Sequence, residues 1–172
     1  MDNIHIIENV LTDDERKKLI EDSIPLLLSS EEMGEIHKGR RYPGKQTFAD
    51  LHLDSKFRSV VYKMLNIIFE KTGLILDVSS VWVNLTNGNK DIIAWHNHTS
   101  DYTLVYYMKT FPFFSNGTLF EEPMGFVKAP QNSILVFPAK LRHTAPPSPF
   151  PFRFRRYTMA MDLNIVDWQA YG

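Results

Sequence analysis

The periodicity of the apolar residues changes once along this chain, at Gly73, and that change restricts the fold more than any other feature. Ahead of it, Phe57, Val60, Val61, Met64, Leu65, Ile68 and Phe69 recur at i, i+3, i+4 and i+7, which gathers them on one side of an α-helix. The helix is expected to start near Asp54 and to stop at Gly73, a residue suited to the left-handed turn that closes many helices. One broad apolar face of this kind needs a cover, and a sheet supplies one. Beyond Gly73 the chain breaks into short strand-like runs: 74–78, 80–86, 92–98, 102–109, 117–121, 133–138 and 153–165. Asn87-Gly88-Asn89 and Asn116-Gly117 are turn signals between them, and Pro146, Pro147, Pro149 and Pro151 stiffen the approach to the last run.

Upstream of the long helix, Asn3 to Val10 alternates loosely and is expected to form an edge strand. Thr12-Asp13-Asp14-Glu15 is a capping box: the threonine hydroxyl accepts from the Glu15 amide while the Glu15 carboxylate reaches back. The helix it opens is expected to run to about Asp22, because Pro25 lacks a donor and disfavours helical backbone just before itself. Leu26 to Leu28 then reads as buried, and Glu31 to Lys45 as a polar loop crossing the surface. Two helices followed by about seven strands make the chain α+β, mainly β. The pattern suits a jelly-roll, cupin-like barrel backed by N-terminal helices, in a single domain over residues 1–172.

Composition narrows the chemistry. The 172 residues are 44% hydrophobic and carry a formal charge of -1, so nothing draws the whole molecule to nucleic acid. With no cysteine, disulfides and thiolate metal sites are excluded, and His, Asp and Glu remain as ligands. No apolar run is long enough to span a bilayer, and the N-terminus lacks the basic start and apolar stretch of a signal peptide. A soluble, cytoplasmic protein with no membrane partner is the expectation; homodimer formation is left open.

Two histidines stand one residue apart in His96-Asn97-His98. In extended backbone they share one face and Asn97 takes the other, so both imidazoles point into the same space. That is half of a metal site, or else a polar surface strand. His143, at the end of the apolar run Ile134-Leu-Val-Phe-Pro138 and its following turn, is a third candidate, delivered to a barrel mouth. His5, His37 and His52 are read as ordinary structural histidines. On the last strand, an inward Arg156 brings Thr158, Ala160 and Asp162 with it, while Tyr157, Met159 and Met161 face the other way. A guanidinium followed two positions later by a hydroxyl makes a carboxylate receptor. The alternative is a solvated basic edge formed with Arg153 and Arg155.

These residues resemble a known family. Trp82-Val-Asn84, then Gly88-Asn-Lys-Asp-Ile-Ile-Ala-Trp95-His96-Asn-His98, then Leu104-Val-Tyr-Tyr107 is similar to the pattern of 2-oxoglutarate/Fe(II)-dependent oxygenases of the H-x-H type, within the prolyl-hydroxylase-like superfamily. The likeness continues through Gly117-Thr-Leu-Phe120, Leu135-Val-Phe-Pro138 ahead of His143, and Arg156-Tyr-Thr158 with Asn164. A weaker segment lies upstream in Gln46-Thr47 and Asp50-Leu51-His52, so roughly residues 46–165 are covered. The family fold is a double-stranded β-helix, in agreement with the jelly-roll reading.

The resemblance implies a dioxygenase in which His96 and His143 bind Fe(II), and in which Arg156, with Thr158 and Tyr106 or Asn84, holds the far carboxylate of 2-oxoglutarate. O2 and an unidentified protein, peptide or small-molecule substrate complete the partners. Most of the superfamily carries Asp or Glu two residues after the first histidine; here that residue is His98. Three readings follow: His98 ligates as a third imidazole, Asp101 takes the position instead, or two protein ligands hold the metal with water. Arg40, Arg41 and Tyr42, in the loop from Met33 to Phe48, are candidate substrate contacts or simply a solvated loop. Two other functions fit the same residues. One is a non-catalytic cupin that binds a metal and a small acid; the other is a nucleic-acid dealkylase with a basic groove through Arg40, Arg41, Arg153 and Arg155.

Overall fold

A computed structural model of the chain describes residues 4–33, 44–87, 91, 93–112, 116–146 and 154–166. The first helix, α1 (Asp13–Ser23), opens on the expected capping box: Thr12 Oγ1 accepts from the Glu15 amide at 3.2 Å, and Glu15 Oε2 accepts from the Thr12 amide at 2.8 Å. The second, α2 (Ser55–Thr72), begins where Asp54 accepts from the Lys56 amide and ends at Gly73, whose φ of 75° is left-handed. Its apolar stripe is Phe57, Val61, Met64, Leu65 and Ile68. Phe69, expected on that stripe, is 52% exposed, because it lies about 100° round the axis from the buried Ile68.

Ten strands form among the described residues: β1 (His5–Glu8), β2 (Leu28–Ser29), β3 (Lys45–Gln46), β4 (Leu76–Asn87), β5 (Tyr102–Lys109), β6 (Gly117–Phe120), β7 (Phe126–Lys128), β8 (Ser133–Pro138), β9 (His143–Thr144) and β10 (Arg155–Ile165). One sheet runs β1-β8-β5-β10-β4-β3-β2 and a smaller one β7-β6-β9, with antiparallel pairing in both. This is a double-stranded β-helix backed by two helices. As expected, β1 is an edge strand.

The large sheet sends alternate residues to two cores. Val81, Val83, Leu104, Tyr106, Met108, Met159, Met161 and Leu163 pack with Phe57, Met64 and Ile68 of α2. On the other face Tyr107, Leu135 and Phe137 meet Phe120 of β6 and Ala129. Strand β8 serves both, which is why Ile134-Leu-Val-Phe137 is apolar at every position. Each fully buried large apolar side chain contributes about 1.5–3 kcal/mol.

Some expected boundaries move. The runs 74–78 and 80–86 are one strand, because Ser79 is the extra residue of a bulge between the pairs Asp162↔Ser80 and Leu163↔Val78. Of the expected run 92–98, the described residues 93–98 form no strand, and among them only His96 makes a β-bridge, to His143. Leu27 is buried but Leu26 is exposed, since the 3-10 turn Ile24–Leu26 ends before the chain enters β2. The two-residue strands β2, β3 and β9 and the short β7 are too brief for periodicity to reveal. His37, Arg40, Arg41, Tyr42 and Arg153, and the Gly88 turn, lie outside the described residues. Among the described residues no helix is long and apolar enough to cross a membrane.

Candidate metal centre

The site lies between the two sheets, at the edge where β9 begins. His143 stands on β9 opposite Phe120 of β6. Its backbone exchanges two hydrogen bonds with His96, His96 N to His143 O at 3.0 Å and His143 N to His96 O at 2.8 Å. The His98 amide then donates to the Ala139 carbonyl at 2.9 Å, and the Thr144 hydroxyl donates to the Ile93 carbonyl. Segment 93–98 is thus laid against 139–144 in extended form, without a regular ladder. That is enough to keep the alternation inferred from sequence: both imidazoles turn the same way and Asn97 is exposed.

The three rings converge. One ring nitrogen from each of His96, His98 and His143 lies within 4.8 Å of the other two. Ring centroids are 4.3 Å apart for His96 and His143, 5.1 Å for His96 and His98, and 5.4 Å for His98 and His143. The second nitrogen of every ring is occupied. Nδ1 of His96 is 2.8 Å from Ala94 O, Nδ1 of His143 is 2.9 Å from Leu141 O, and Nδ1 of His98 is 2.8 Å from Asp162 Oδ1. Carbonyl and ionised carboxylate oxygens only accept, so each Nδ1 carries the hydrogen, and a neutral ring of that tautomer has its lone pair on Nε2.

Burial favours the same protonation state. His143 is only 4% exposed, packed edge-on against Phe137 at 4.7 Å. Burial pushes its imidazole down to about 4; the Leu141 carbonyl works the other way, and the neighbouring imidazoles add to the depression. His96 is lowered too, first by burial. The consequence for stability has a definite sign. Between pH 6.5 and 4 the unfolded chain takes up a proton at position 143 that the fold resists. Stability from this group is therefore complete above pH 6.5, declines as the pH falls and is gone below 4. Metal-free protein is expected to lose about 2 kcal/mol from this one group between pH 7.5 and 5, at ~1.36 kcal/mol per pH unit below 6.5. Urea unfolding of wild type and His143→Gln at the two pH values measures it; equal losses would exclude His143 as the source.

Arg156 is the second element. It is 2% exposed, on the inward row of β10 with Thr158, Ala160 and Asp162, as the alternation required. Its Nε donates to Thr86 Oγ1 at 3.1 Å, Nη1 donates to the Pro146 carbonyl at 3.2 Å, and the guanidinium lies over the Phe111 ring. Pro146 follows His143 by three residues, so this carbonyl is within about 10 Å of the His143 backbone. Among the described residues no carboxylate forms an ion pair with Arg156. Burial works against its charge, with Tyr107 and Asp91 favouring it. Thr158 sits between Asn84 on β4 and Tyr107 on β5.

Tyr106 is elsewhere. It belongs to the face of β5 that packs on α2, and its hydroxyl donates to Asn132 Oδ1 at 2.8 Å, so it is not beside Arg156. The reason is register: Leu104, Tyr106 and Met108 share the helix-facing row, which leaves Thr103, Val105 and Tyr107 on the other. Tyr107 is the buried aromatic near the guanidinium, hydrogen-bonded to Thr118 at 2.6 Å, and burial raises its hydroxyl to about 12. The apolar Leu104 and Met108 were the available signal. Asp101 also stands apart: it is exposed, and its carboxylate accepts from the Ile165 amide at 2.8 Å. Thr86 was not singled out in the sequence because only the β4–β10 register sets it opposite Arg156. Arg155 is exposed, while His5 lies in β1 and His52 in a 3-10 turn, far in sequence from the triad.

The chain matches no protein-family model, and no curated protein is significantly similar to it in sequence. Solved structures do resemble it. A viral collagen prolyl hydroxylase from Paramecium bursaria Chlorella virus-1, in complex with 2OG, is 18% identical with a TM-score of 0.63, over 95% of this chain and 96% of that one. HygX from Streptomyces hygroscopicus, with nickel, 2-oxoglutarate and hygromycin B bound, is 9% identical with a TM-score of 0.69, over 96% and 84%. A Pseudomonas putida prolyl-4-hydroxylase is 13% identical with a TM-score of 0.67, over 97% and 95%. At such identities the likeness is one of fold.

Proposed function

We propose that this chain is a 2-oxoglutarate- and Fe(II)-dependent oxygenase. The observation that carries the reading is the conjunction of three converging imidazoles with a buried guanidinium that lacks a carboxylate partner among the described residues. The donor set fits a first-row metal ion: three imidazoles, each anchored through Nδ1, turn Nε2 to one face of a coordination sphere. In this reading His96, His98 and His143 are the ligands, and Asp101 is not needed. Arg156 receives the far carboxylate of the 2-oxo acid, with Thr158 and Asn84 on the same face and Tyr107 in the place first given to Tyr106. Among the described residues the cation is held by a hydroxyl, a carbonyl and a ring, and a buried cation so held is costly until an anion joins it.

Fe(II) bound there would supply, with 2-oxoglutarate and O2, an oxidation that yields succinate and carbon dioxide and places oxygen in a substrate C–H bond. The chain's own contribution is placement and shielding. The histidines present one face and leave the other open to small molecules. Phe120 and Phe137 pack beside His143 and keep water from that side. The fold neighbours include prolyl hydroxylases and HygX with hygromycin B bound, so the reading takes in both peptide and small-molecule substrates.

Anaerobic mixing with Fe(II) and 2-oxoglutarate, followed by exposure to air, tests it. Succinate released slowly without added substrate is the expected result. A protein that binds metal and 2-oxoglutarate but never forms succinate would instead be a binding cupin. That second reading is favoured by the imidazole of His98 standing where a carboxylate is usual.

A further inference from the structure

We infer that Asp162 is a positioning residue for the metal centre, supplying through His98 the negative charge that the three-histidine ligand set lacks. The inference rests on the metal reading above and adds a residue to it.

The three histidines are not anchored alike. His96 and His143 each hold Nδ1 against the carbonyl two residues upstream, Ala94 O and Leu141 O. Such an anchor is local and comes with the extended backbone. For His98 the equivalent oxygen is His96 O, but that carbonyl accepts the His143 amide at 2.8 Å in the bridge that brings the segments together. His98 takes no local anchor of this kind. Its Nδ1 is instead 2.8 Å from a carboxylate on β10, 64 positions along the chain from His98 to Asp162.

The carboxylate is itself held. Ser80 Oγ donates to Asp162 Oδ2 at 2.8 Å, and Ser100 Oγ approaches Oδ1 at 3.4 Å. Ser80 faces Asp162 in the continuous β4–β10 register that begins at Arg155 and Asn87, the last pair before Ser79 bulges out of β4. Burial alone would raise the Asp162 carboxyl; the bonds from His98, Ser80 and Ser100 outweigh it and keep the group ionised. Trp82 stacks on His98 at 5.8 Å, so its ring is fixed by a plane as well as by a bond. The effect on a bound dication is twofold. The carboxylate sets the Nε2 lone pair of His98 toward the metal, and its charge makes that imidazole a stronger donor. Among the described residues it is the carboxylate that contacts the triad.

Titration of metal-free protein with Co(II), followed by visible absorption, tests this without any turnover. Asp162→Asn is expected to weaken Co(II) about 10- to 100-fold, the usual cost of a lost outer partner. Asp162→Glu, which restores the charge, is expected to recover most of that loss. In a His98→Ala background the same Asp162→Asn change is expected to alter affinity by less than about 2-fold, because the route to the metal is gone. Where Asn does not fold, as reported by thermal unfolding of the metal-free protein, Asp162→Ser takes its place in the same cycle. Co(II) affinity unchanged in Asp162→Asn, or lowered equally with and without His98, overturns the inference while leaving the metal centre standing. Wild type that takes up no Co(II) overturns both.

Discussion

Arg156→Met is expected to lower affinity for 2-oxoglutarate by about 2–5 kcal/mol, or ~30- to several-thousand-fold, with metal affinity unchanged. The size follows from where the guanidinium sits. It is 2% exposed, so the anion it meets is desolvated and a lost partner is not replaced by water. Methionine keeps the long side chain over the Phe111 ring and removes only the charge and the donors. The same change carries a second, opposite expectation for the protein without ligand. There the buried cation has no carboxylate partner among the described residues, so replacing it by an apolar group is expected to raise the unfolding temperature. Calorimetry with 2-oxoglutarate on metal-loaded protein, and thermal unfolding without it, read the two effects separately. A variant that binds the acid as wild type does would remove Arg156 from the site.

His143→Ala is expected to abolish tight metal binding, with a loss larger than the ~10–100-fold typical of an outer-shell residue. Two imidazoles remain, and neither His96 nor His98 gains a substitute donor from Phe120 or Phe137, the aromatic residues around position 143. The backbone bridge between positions 96 and 143 uses only main-chain atoms, so alanine leaves it in place and segment 93–98 stays against β9. A Co(II) titration beside a thermal unfolding curve distinguishes loss of the site from loss of the fold. Folded protein that still binds Co(II) at wild-type strength would show that the triad is not the metal centre.

The architecture was legible where one physical pattern ran long enough. Eighteen residues of α2 carry the helical period, and Asp54 and Gly73 bound it as a cap and a left-handed stop. Strand β10 carries the period of two across eleven residues, which put Arg156, Thr158 and Asp162 on one face before any contact was known. Legibility failed at short pairings. Segment 93–98 has the alternation of a strand but finds only two main-chain partners, and β9 is two residues long. It also failed at Tyr106-Tyr107, two identical neighbours whose facing is marked only by the apolar Leu104 and Met108 in the row of Tyr106. Phe69 was a third failure: an apolar residue at the rim of a stripe gains little from burial and stays in water.

By itself the sequence determined the ligand chemistry and the facing of its groups. Without cysteine, with His96 and His98 two apart and Arg156 on a long alternating strand, local backbone geometry settles which side chains point together. Only the tertiary structure decided what those groups meet. The His96–His143 bridge, the β4–β10 register and the contact of Asp162 with His98 are pairings between segments distant in the chain. Local propensity specifies the direction of a side chain but not the partner opposite it, because register is set by the packing of whole sheets against α2 and against each other.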